Sequence, residues 1–89
     1  MYHIVLIGHG KMGSSIAKGW IKEKYKHKIS IIEKKKILFN YKNFTNVKLY
    51  KNFNDFFTEN KKIDFVFLAI KPQQLNDIKD DILRIDNKN

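Results

Sequence analysis

Three glycines close to the N-terminus have the type and spacing to bind phosphate. They stand at positions 8, 10 and 13, a G-x-G-x-x-G pattern in the stretch IVLIGHGKMGSSIAKGW. Between a strand and a helix, Gly8 permits a tight turn, Gly10 leaves the backbone open to a diphosphate, and Gly13 allows close helix packing. The first free amides of the helix, near Lys11, and its dipole would then face the phosphates. The pattern therefore predicts a diphosphate-binding turn, provided that the flanking elements are present.

An acidic residue stands where such a turn requires one. Glu33 follows Gly13 by 20 residues, at the predicted end of the second strand. A carboxylate at that place accepts hydrogen bonds from the adenine ribose of a dinucleotide. The next three residues are Lys34, Lys35 and Lys36, which suit a 2′-phosphate instead. The glutamate favours NAD and the lysines favour NADP, so both cofactors stay open.

The hydrophobic pattern supplies the elements that this turn requires. Continuous apolar runs at 2–8 and 62–70 predict strands buried on both faces, and the alternation in 46–50 predicts a half-exposed edge strand. The predicted strands are 2–8, 27–33, 46–50 and 62–70, and the predicted helices are 11–25, 34–44, one to two turns within 52–60, and a last helix from residue 72. This alternation predicts an α/β fold: a Rossmann-type, doubly wound parallel sheet with strands in the order 3-2-1-4.

Apolar stripes and capping residues mark the helices. Residues spaced three or four apart form one apolar face on the first and on the last helix. Asn52 or Asn54 is expected to cap the third helix, and Pro72 suits the first turn of the last one. The stripe of the first helix consists of Met12, Ile16, Ala17, Trp20 and Ile21, and that of the last helix of Leu75, Ile78, Ile82 and Ile85.

The composition limits the classes of protein to which this sequence can belong. With 89 residues, 43% hydrophobic and 13% aromatic, the chain predicts one small globular domain. There is no cysteine, and His3, His9 and His27 lack metal-ligand spacing, so we expect no metal site. No signal peptide and no membrane-length apolar run is visible, which predicts a cytoplasmic protein without membrane contact.

The net charge of +9 has two explanations. A basic surface is typical of proteins that bind nucleic acid or an acidic partner. However, Arg84 is the only arginine, and lysine, asparagine, isoleucine, phenylalanine and tyrosine, all with AT-rich codons, are abundant. A skewed gene composition therefore accounts for the charge without a binding role. We do not expect nucleic acid as the partner, and a small basic binding module is the alternative.

Two segments together resemble a known family. The stretches IGHGKMGSSIAKGW and DFVFLAIKPQQLNDI are similar to the N-terminal domain of pyrroline-5-carboxylate reductase. Many Rossmann dehydrogenases share the first motif, whereas Lys71-Pro72-Gln73 directly after an apolar strand is much more specific. The sequence departs from the family pattern at Ser15, where alanine is common, and at Ile70, where valine is usual. Glu33 is a third departure, because many members have a small or polar residue there and favour NADP.

The resemblance implies an activity and a set of binding residues. The activity is that of an NAD(P)H-dependent oxidoreductase, which reduces 1-pyrroline-5-carboxylate to L-proline in proline biosynthesis. An asparagine near the third helix contacts the adenosine side in this family, and Asn52 is the better match, with Asn54 competing. The implied cofactor-binding residues are Ile7, Gly8, His9, Gly10, Lys11, Met12 and Gly13 in the turn, Glu33 and Asn52 on the adenosine side, and Ala69, Ile70, Lys71 and Pro72 in the loop along the cofactor.

The resemblance also implies a part that these residues do not contain. Members of the family continue the sheet and add a C-terminal helical domain, which dimerises and forms the substrate site. That domain is absent from this sequence, so residues 1–89 are expected to form a partial NAD(P)-binding domain that does not reduce pyrroline-5-carboxylate alone. No catalytic residue is assigned. The possibilities are a truncated gene, a split enzyme whose separate second chain supplies the helical domain, a stand-alone nucleotide-binding remnant, and a non-functional relic.

Overall fold

The computed structural model describes residues 1–24, 26–59 and 62–88, which are built around one four-stranded parallel sheet. The strands are β1 (His3–Ile7), β2 (Lys28–Ile32), β3 (Val47–Tyr50) and β4 (Phe65–Leu68). They lie in the order β3-β2-β1-β4, which confirms the predicted topology. Ile7 of β1 lies beside Ile32 of β2 and Leu68 of β4. The carboxyl ends of these three strands therefore meet at one edge of the sheet.

Helices follow three of the four strands. They are α1 (Lys11–Lys22), α2 (Phe53–Glu59), α3 (Pro72–Leu75) and α4 (Lys79–Lys88), and a 3₁₀ turn at Asn76–Ile78 joins the last two. The helix predicted over 11–25 ends early because Lys24 has a left-handed backbone, with a φ of +56°. Its predicted last residue, like residue 60 of the third predicted helix, lies outside the described residues. Pro72 begins α3, as predicted. No helix among the described residues is long and apolar enough to cross a membrane.

The helix predicted over 34–44 is wrong, because this segment forms turns instead. The Oδ1 atom of Asn40 accepts the N–H of Lys42 at 2.9 Å, and the carbonyl of Tyr41 accepts the N–H of Phe44 at 2.9 Å. Asparagine side chains compete with helical hydrogen bonds in this way. Tyr41 is only 4% exposed and packs in the core. Tyr41, together with Ile37 and Phe44, which pack against the same core, therefore holds the segment against the sheet without a helix.

The sheet is covered on both faces, by different helices. On one face, α1 packs through Ala17 on a core that includes Leu6. On the other face, the phenylalanines of α2 and Ile85 of α4 pack on a core that includes Val5. Adjacent residues of β1 thus enter opposite cores, as the alternation along a strand requires. Met12 was predicted in the α1 stripe, but it is 56% exposed because it lies in the first turn, beyond the core. The other members of that stripe contact the core.

β4 is confirmed as a strand, but the prediction that it is buried on both faces is wrong. Its four side chains are 37–48% exposed. Among the described strands β4 pairs with β1 alone, so one side of the strand has no neighbour. Within the part of the chain that the structure describes, β4 is therefore an exposed apolar edge of the sheet. β3 lies at the opposite edge, with Lys48 and Leu49 exposed, which confirms the half-exposed strand predicted at 46–50.

Polar groups at the amino ends of the strands hydrogen-bond to one another, and we call them the amino-end network. Nδ1 of His3 lies 2.7 Å from the carbonyl of Lys62, and Nε2 lies 2.7 Å from Oγ of Ser30. The backbone N–H of His3 donates to Oδ2 of Asp64 at 2.8 Å. Because a carbonyl only accepts, Nδ1 carries the proton and Nε2 accepts the Ser30 hydroxyl. Burial lowers the pKa of His3, which keeps this ring neutral.

Candidate functional site

A cavity of about 1000 Å³ lies at the carboxyl ends of the strands, and we call it the rim cavity. The ends of β1 and β2 reach it through Ile7 and Ile32, and the residue after β4 reaches it through Ala69. The loop that follows β3 contributes Lys51 and Asn52. Ligands of doubly wound sheets bind outside the carboxyl ends of the strands, next to the point where the strand order reverses. The rim cavity occupies that position, between the extensions of β1, β2 and β4.

The glycine turn forms one wall of the rim cavity, and two of its glycines are required by packing. Gly8 has a φ of +100°, and its N–H donates to the carbonyl of Ile32 at 2.9 Å. A Cβ atom on Gly8 would collide with the carbonyl of Ala69. A Cβ atom on Gly13 would collide with the carbonyl of Gly8. Backbone atoms therefore pack directly against one another where the turn meets the start of α1 and the loop after β4.

Gly10 differs from these two glycines, because packing does not require it. A Cβ atom on Gly10 would meet no atom within 4 Å, and its φ of −75° is open to any residue. Gly10 lines the rim cavity and precedes α1, with no side-chain cap and no acidic residue in the first turn. The first amides of a helix have no acceptor within the helix. At Gly10 the missing side chain therefore leaves the positive end of α1 open to an anionic ligand.

Glu33 lines the rim cavity and is hydrogen-bonded to the glycine turn. Its Oε1 atom accepts the backbone N–H of His9 at 2.8 Å. Its Oε2 atom accepts the N–H of Lys35 at 3.2 Å. The carboxylate thus connects the glycine turn to the lysine-rich loop that follows β2. Each oxygen has one further lone pair for a ligand hydroxyl.

The loop after β4 lies directly against the glycine turn. The N–H of Ala69 donates to the carbonyl of Ile7 at 2.8 Å, and the Ile70 side chain lies where a Gly8 side chain would be. The N–H of Lys71 donates to Oε1 of Gln74 at 3.0 Å, which fixes the start of α3. Pro72 follows within α3 and does not line the cavity. Of the Lys71-Pro72-Gln73 segment, Lys71 thus lines the cavity, whereas Pro72 begins α3.

Asn52 and Asn54 both line the rim cavity, and they have different structural roles. Oδ1 of Asn52 accepts the N–H of Asp55 at 2.8 Å, so Asn52 is the residue that caps α2. Oδ1 of Asn54 accepts a hydrogen bond from Arg84 at 2.9 Å. Of the two asparagines that the sequence offered as the cap of this helix, the structure therefore selects Asn52. Both asparagines keep a side chain at the cavity.

Tyr41 is a residue that the sequence reasoning missed. Its hydroxyl oxygen lies 2.5 Å from Nε2 of His9, and the two rings meet edge to face at 5.5 Å between centroids. Burial lowers the pKa of His9 and raises the pKa of Tyr41, so both groups are neutral at physiological pH. Asn40, a turn-forming residue, argued against the helix predicted over 34–44, but no local sequence pattern points to the contact between Tyr41 and His9.

Most of the residues predicted from the resemblance meet at this one cavity. Gly13 and Pro72 do not line it, because Gly13 faces the Gly8 carbonyl and Pro72 lies within α3. Lys51 and Gln74 line it without having been predicted. The eleven predicted residues that line the cavity are Ile7, Gly8, His9, Gly10, Lys11, Met12, Glu33, Asn52, Ala69, Ile70 and Lys71.

A comparison with protein families agrees with this geometry. The family model described as "NADP oxidoreductase coenzyme F420-dependent" matches residues 3–89. The chain belongs to this family. Members of the NADP oxidoreductase family bind a nicotinamide dinucleotide and act as NAD(P)-dependent oxidoreductases. No curated protein and no solved structure matched the chain significantly.

The charge of the rim cavity suits the dinucleotide of the NADP oxidoreductase family. Six lysines line the cavity, against three carboxylates. Within the described ranges, none of these lysines forms an ion pair. A cavity lined by charges of one sign concentrates ligands of the opposite sign. The lysines are Lys11, Lys34, Lys35, Lys36, Lys51 and Lys71, and the carboxylates are Glu33, Asp77 and Asp81.

Proposed function

We propose that residues 1–89 form a domain that binds NADP(H) in the rim cavity as part of a pyrroline-5-carboxylate reductase. The diphosphate lies against the glycine turn and the first amides of α1. The adenosine lies toward Glu33, the lysines that follow it, and Asn52. The nicotinamide half lies along Ala69–Lys71. Membership of the NADP oxidoreductase family supports the class of cofactor.

One observation carries the proposal: Gly10 is a glycine for which packing gives no reason. A side chain at this position would meet no protein atom within 4 Å and would extend into open space at the N-terminus of α1. A ligand that must approach the backbone at the start of α1 gives a physical reason for glycine at this position. The amides of α1 and the lysine-lined wall make that ligand an anion. A dinucleotide diphosphate has the required charge and approach.

The lysines after β2 favour NADP over NAD. Each oxygen of Glu33 already accepts one backbone N–H group, so a ribose hydroxyl would share this carboxylate with the protein backbone. Lys34, Lys35 and Lys36 follow it and line the cavity. A 2′-phosphate adds negative charge at this place, which the ammonium groups attract.

The Lys71-Pro72-Gln73 segment supports pyrroline-5-carboxylate as the substrate. It follows the end of β4 after two residues, contributes Lys71 to the lining of the cavity, and resembles the same segment of pyrroline-5-carboxylate reductases. When bound, NADPH supplies a hydride to the carbon of the substrate C=N bond, and the nitrogen takes a proton, giving proline and NADP⁺. The residues of this chain orient the cofactor and attract its phosphates. A helical domain, from a further segment or from a separate chain, supplies the substrate side of the site.

Titration of the protein with NADPH, followed by fluorescence, tests the proposal. We expect micromolar binding, weakened at least tenfold by Gly10→Val, because the valine fills the approach to the α1 amides. Gly19→Val is the matched control, since Gly19 lies in the same helix and a Cβ atom there also meets nothing within 4 Å. Equal affinity in both variants, or no binding by the parent protein, would refute the cofactor site.

Two further assays separate the finer parts of the proposal. A random oligonucleotide tests the alternative of a basic nucleic-acid-binding module, for which binding would fall steeply with salt. We expect no such binding at physiological salt. With NADPH and pyrroline-5-carboxylate, the 89-residue chain alone should give no sustained loss of NADPH absorbance. Sustained turnover would show that these residues complete the substrate site.

A further inference from the structure

We propose that Tyr41 is a positioning residue for the diphosphate-binding turn, acting through the side chain of His9. The inference rests on the proposed function, since it concerns the same turn. Neither the glycine motif nor the Lys-Pro-Gln segment points to Tyr41, which lies between β2 and β3. What connects it to the site is the contact between its hydroxyl and the imidazole of His9.

The position of the Tyr41 ring is fixed by the core. The residue is 4% exposed and belongs to the cluster that contains Leu6, Ala17 and Ala69. The backbone on either side is fixed by two local hydrogen bonds, from Lys42 N–H to Asn40 and from the Phe44 N–H to the Tyr41 carbonyl. A phenol held in this way presents its oxygen at one place. It therefore serves as a rigid point of attachment for whatever it contacts.

His9 is the residue in the turn that most needs such an attachment. It stands between Gly8 and Gly10, and glycine has the greatest backbone freedom of all residues. Its N–H is held by Glu33 at 2.8 Å, and Nε2 of its ring lies 2.5 Å from the Tyr41 oxygen. One contact fixes the peptide and the other fixes the side chain. Two independent elements, the end of β2 and the 34–44 segment, thus define the course of the turn.

Fixing the turn before the ligand arrives improves affinity. Ordering a flexible backbone on binding costs conformational entropy, and a preorganised site avoids that cost. The ring of His9 faces Tyr41 on one side, with Glu33 and Lys18 as the charged groups that act on it. Because the imidazole is neutral, the contact with Tyr41 persists at physiological pH. Loss of the Tyr41 hydroxyl should therefore loosen the turn while the ring remains in the core.

A double-mutant cycle on NADPH affinity tests the inference. Tyr41→Phe removes only the hydroxyl, and we expect a Kd about threefold to tenfold higher, the range of one hydrogen bond. In a His9→Ala background the same substitution should change the Kd by less than twofold. Tyr50→Phe is the control: Tyr50 is equally buried, at 5% exposure, but its hydroxyl faces Glu59 at 3.5 Å, away from His9.

Each outcome of the cycle has a distinct meaning. If the parent protein binds NADPH and Tyr41→Phe binds it as tightly as Tyr50→Phe does, the inference is refuted and the proposed function stands. If Tyr41→Phe weakens binding equally with and without His9, Tyr41 has only a general structural role, which also refutes the inference. If the parent protein does not bind NADPH, the proposed function itself is refuted.

Discussion

The two ends of the same sheet use their polar groups in opposite ways. At the amino end, His3 and Ser30 are buried and hydrogen-bond to each other, and His3 also contacts the Lys62 carbonyl and the Asp64 carboxylate. At the carboxyl end, Gly10 and six lysines face an open cavity. One end therefore satisfies its polar groups internally, whereas the other keeps donors and positive charge for a ligand.

This difference predicts that stability and binding can be changed separately. Substitutions in the amino-end network should lower the free energy of unfolding and leave the cofactor affinity unchanged. Substitutions of Gly10 and of the lysines at the carboxyl end should lower the cofactor affinity and leave the free energy of unfolding unchanged. Gly8 is an exception to this division: it lies at the carboxyl end, but packing requires it, so its substitution should lower the free energy of unfolding.

Gly8→Val should have the largest effect. The valine would take a left-handed backbone conformation and collide with the Ala69 carbonyl, which together cost about 3 kcal/mol or more. Gly10→Val should change the free energy of unfolding by less than ~1 kcal/mol, because its side chain meets open space. Urea denaturation of both variants measures the contrast. Equal destabilisation by the two would contradict the division between packing and ligand glycines.

Ser30→Ala should lower stability without weakening cofactor binding. The change leaves Nε2 of His3 without its partner in a buried position, at a cost of about 1–3 kcal/mol. Ser15→Ala is the control, because Ser15 is exposed and its hydroxyl contacts only the Lys11 carbonyl among the described groups. Denaturation midpoints and NADPH titrations on both variants give the comparison. A Kd that rises together with the loss of stability would mean that the two ends are coupled.

Lys35→Ala should weaken cofactor binding without lowering stability. We expect NADPH affinity to fall about threefold to fivefold, the range of one charge-assisted contact at a partly exposed site. NADH affinity and the free energy of unfolding should change little. Lys22→Ala, at the exposed end of α1, is the matched control for net charge. Equal losses for NADPH and NADH would place the 2′-phosphate elsewhere.

The smallest effect is the pH dependence of stability. Burial lowers the pKa of His3 and of His9 below the ordinary value of 6.5. The unfolded chain then binds more protons than the folded one between the lowered values and 6.5, so stability rises with pH across that window. The melting temperature should fall as the pH is lowered from about 7.5 to about 5. In His3→Gln the slope should be smaller, and an unchanged slope would exclude the network as its source.

The sheet and the meeting of site residues could be predicted because they follow from periodicity and topology. Parallel strands end at one edge, so the glycine turn, Glu33 and the Lys71 loop had to converge there. The burial of β4 could not be predicted in this way. β1 and β4 are both apolar runs, yet among the described strands β1 has a neighbour on each side and β4 has one. Burial depends on neighbours, which a residue pattern does not specify.

The segment 34–44 shows a second limit of the sequence. Its composition is compatible with a helix, and local hydrogen bonds of Asn40 and the core contacts of Tyr41 decide otherwise. Helix propensity is a weak preference that tertiary contacts override. The contact between Tyr41 and His9 spans 32 residues along the chain, so no local pattern could indicate it.

The most direct test of the account is a ¹H–¹⁵N NMR titration of the protein with NADP⁺. The account predicts saturable shifts that are largest for the amides of Gly8–Gly13 and Lys34–Lys36, with His3 and Ser30 unaffected. In Gly10→Val the shifts at the turn should be lost at the same ligand concentration. Shifts centred on the amino-end network, or none that saturate, would contradict the claim that the carboxyl end of this sheet holds the diphosphate.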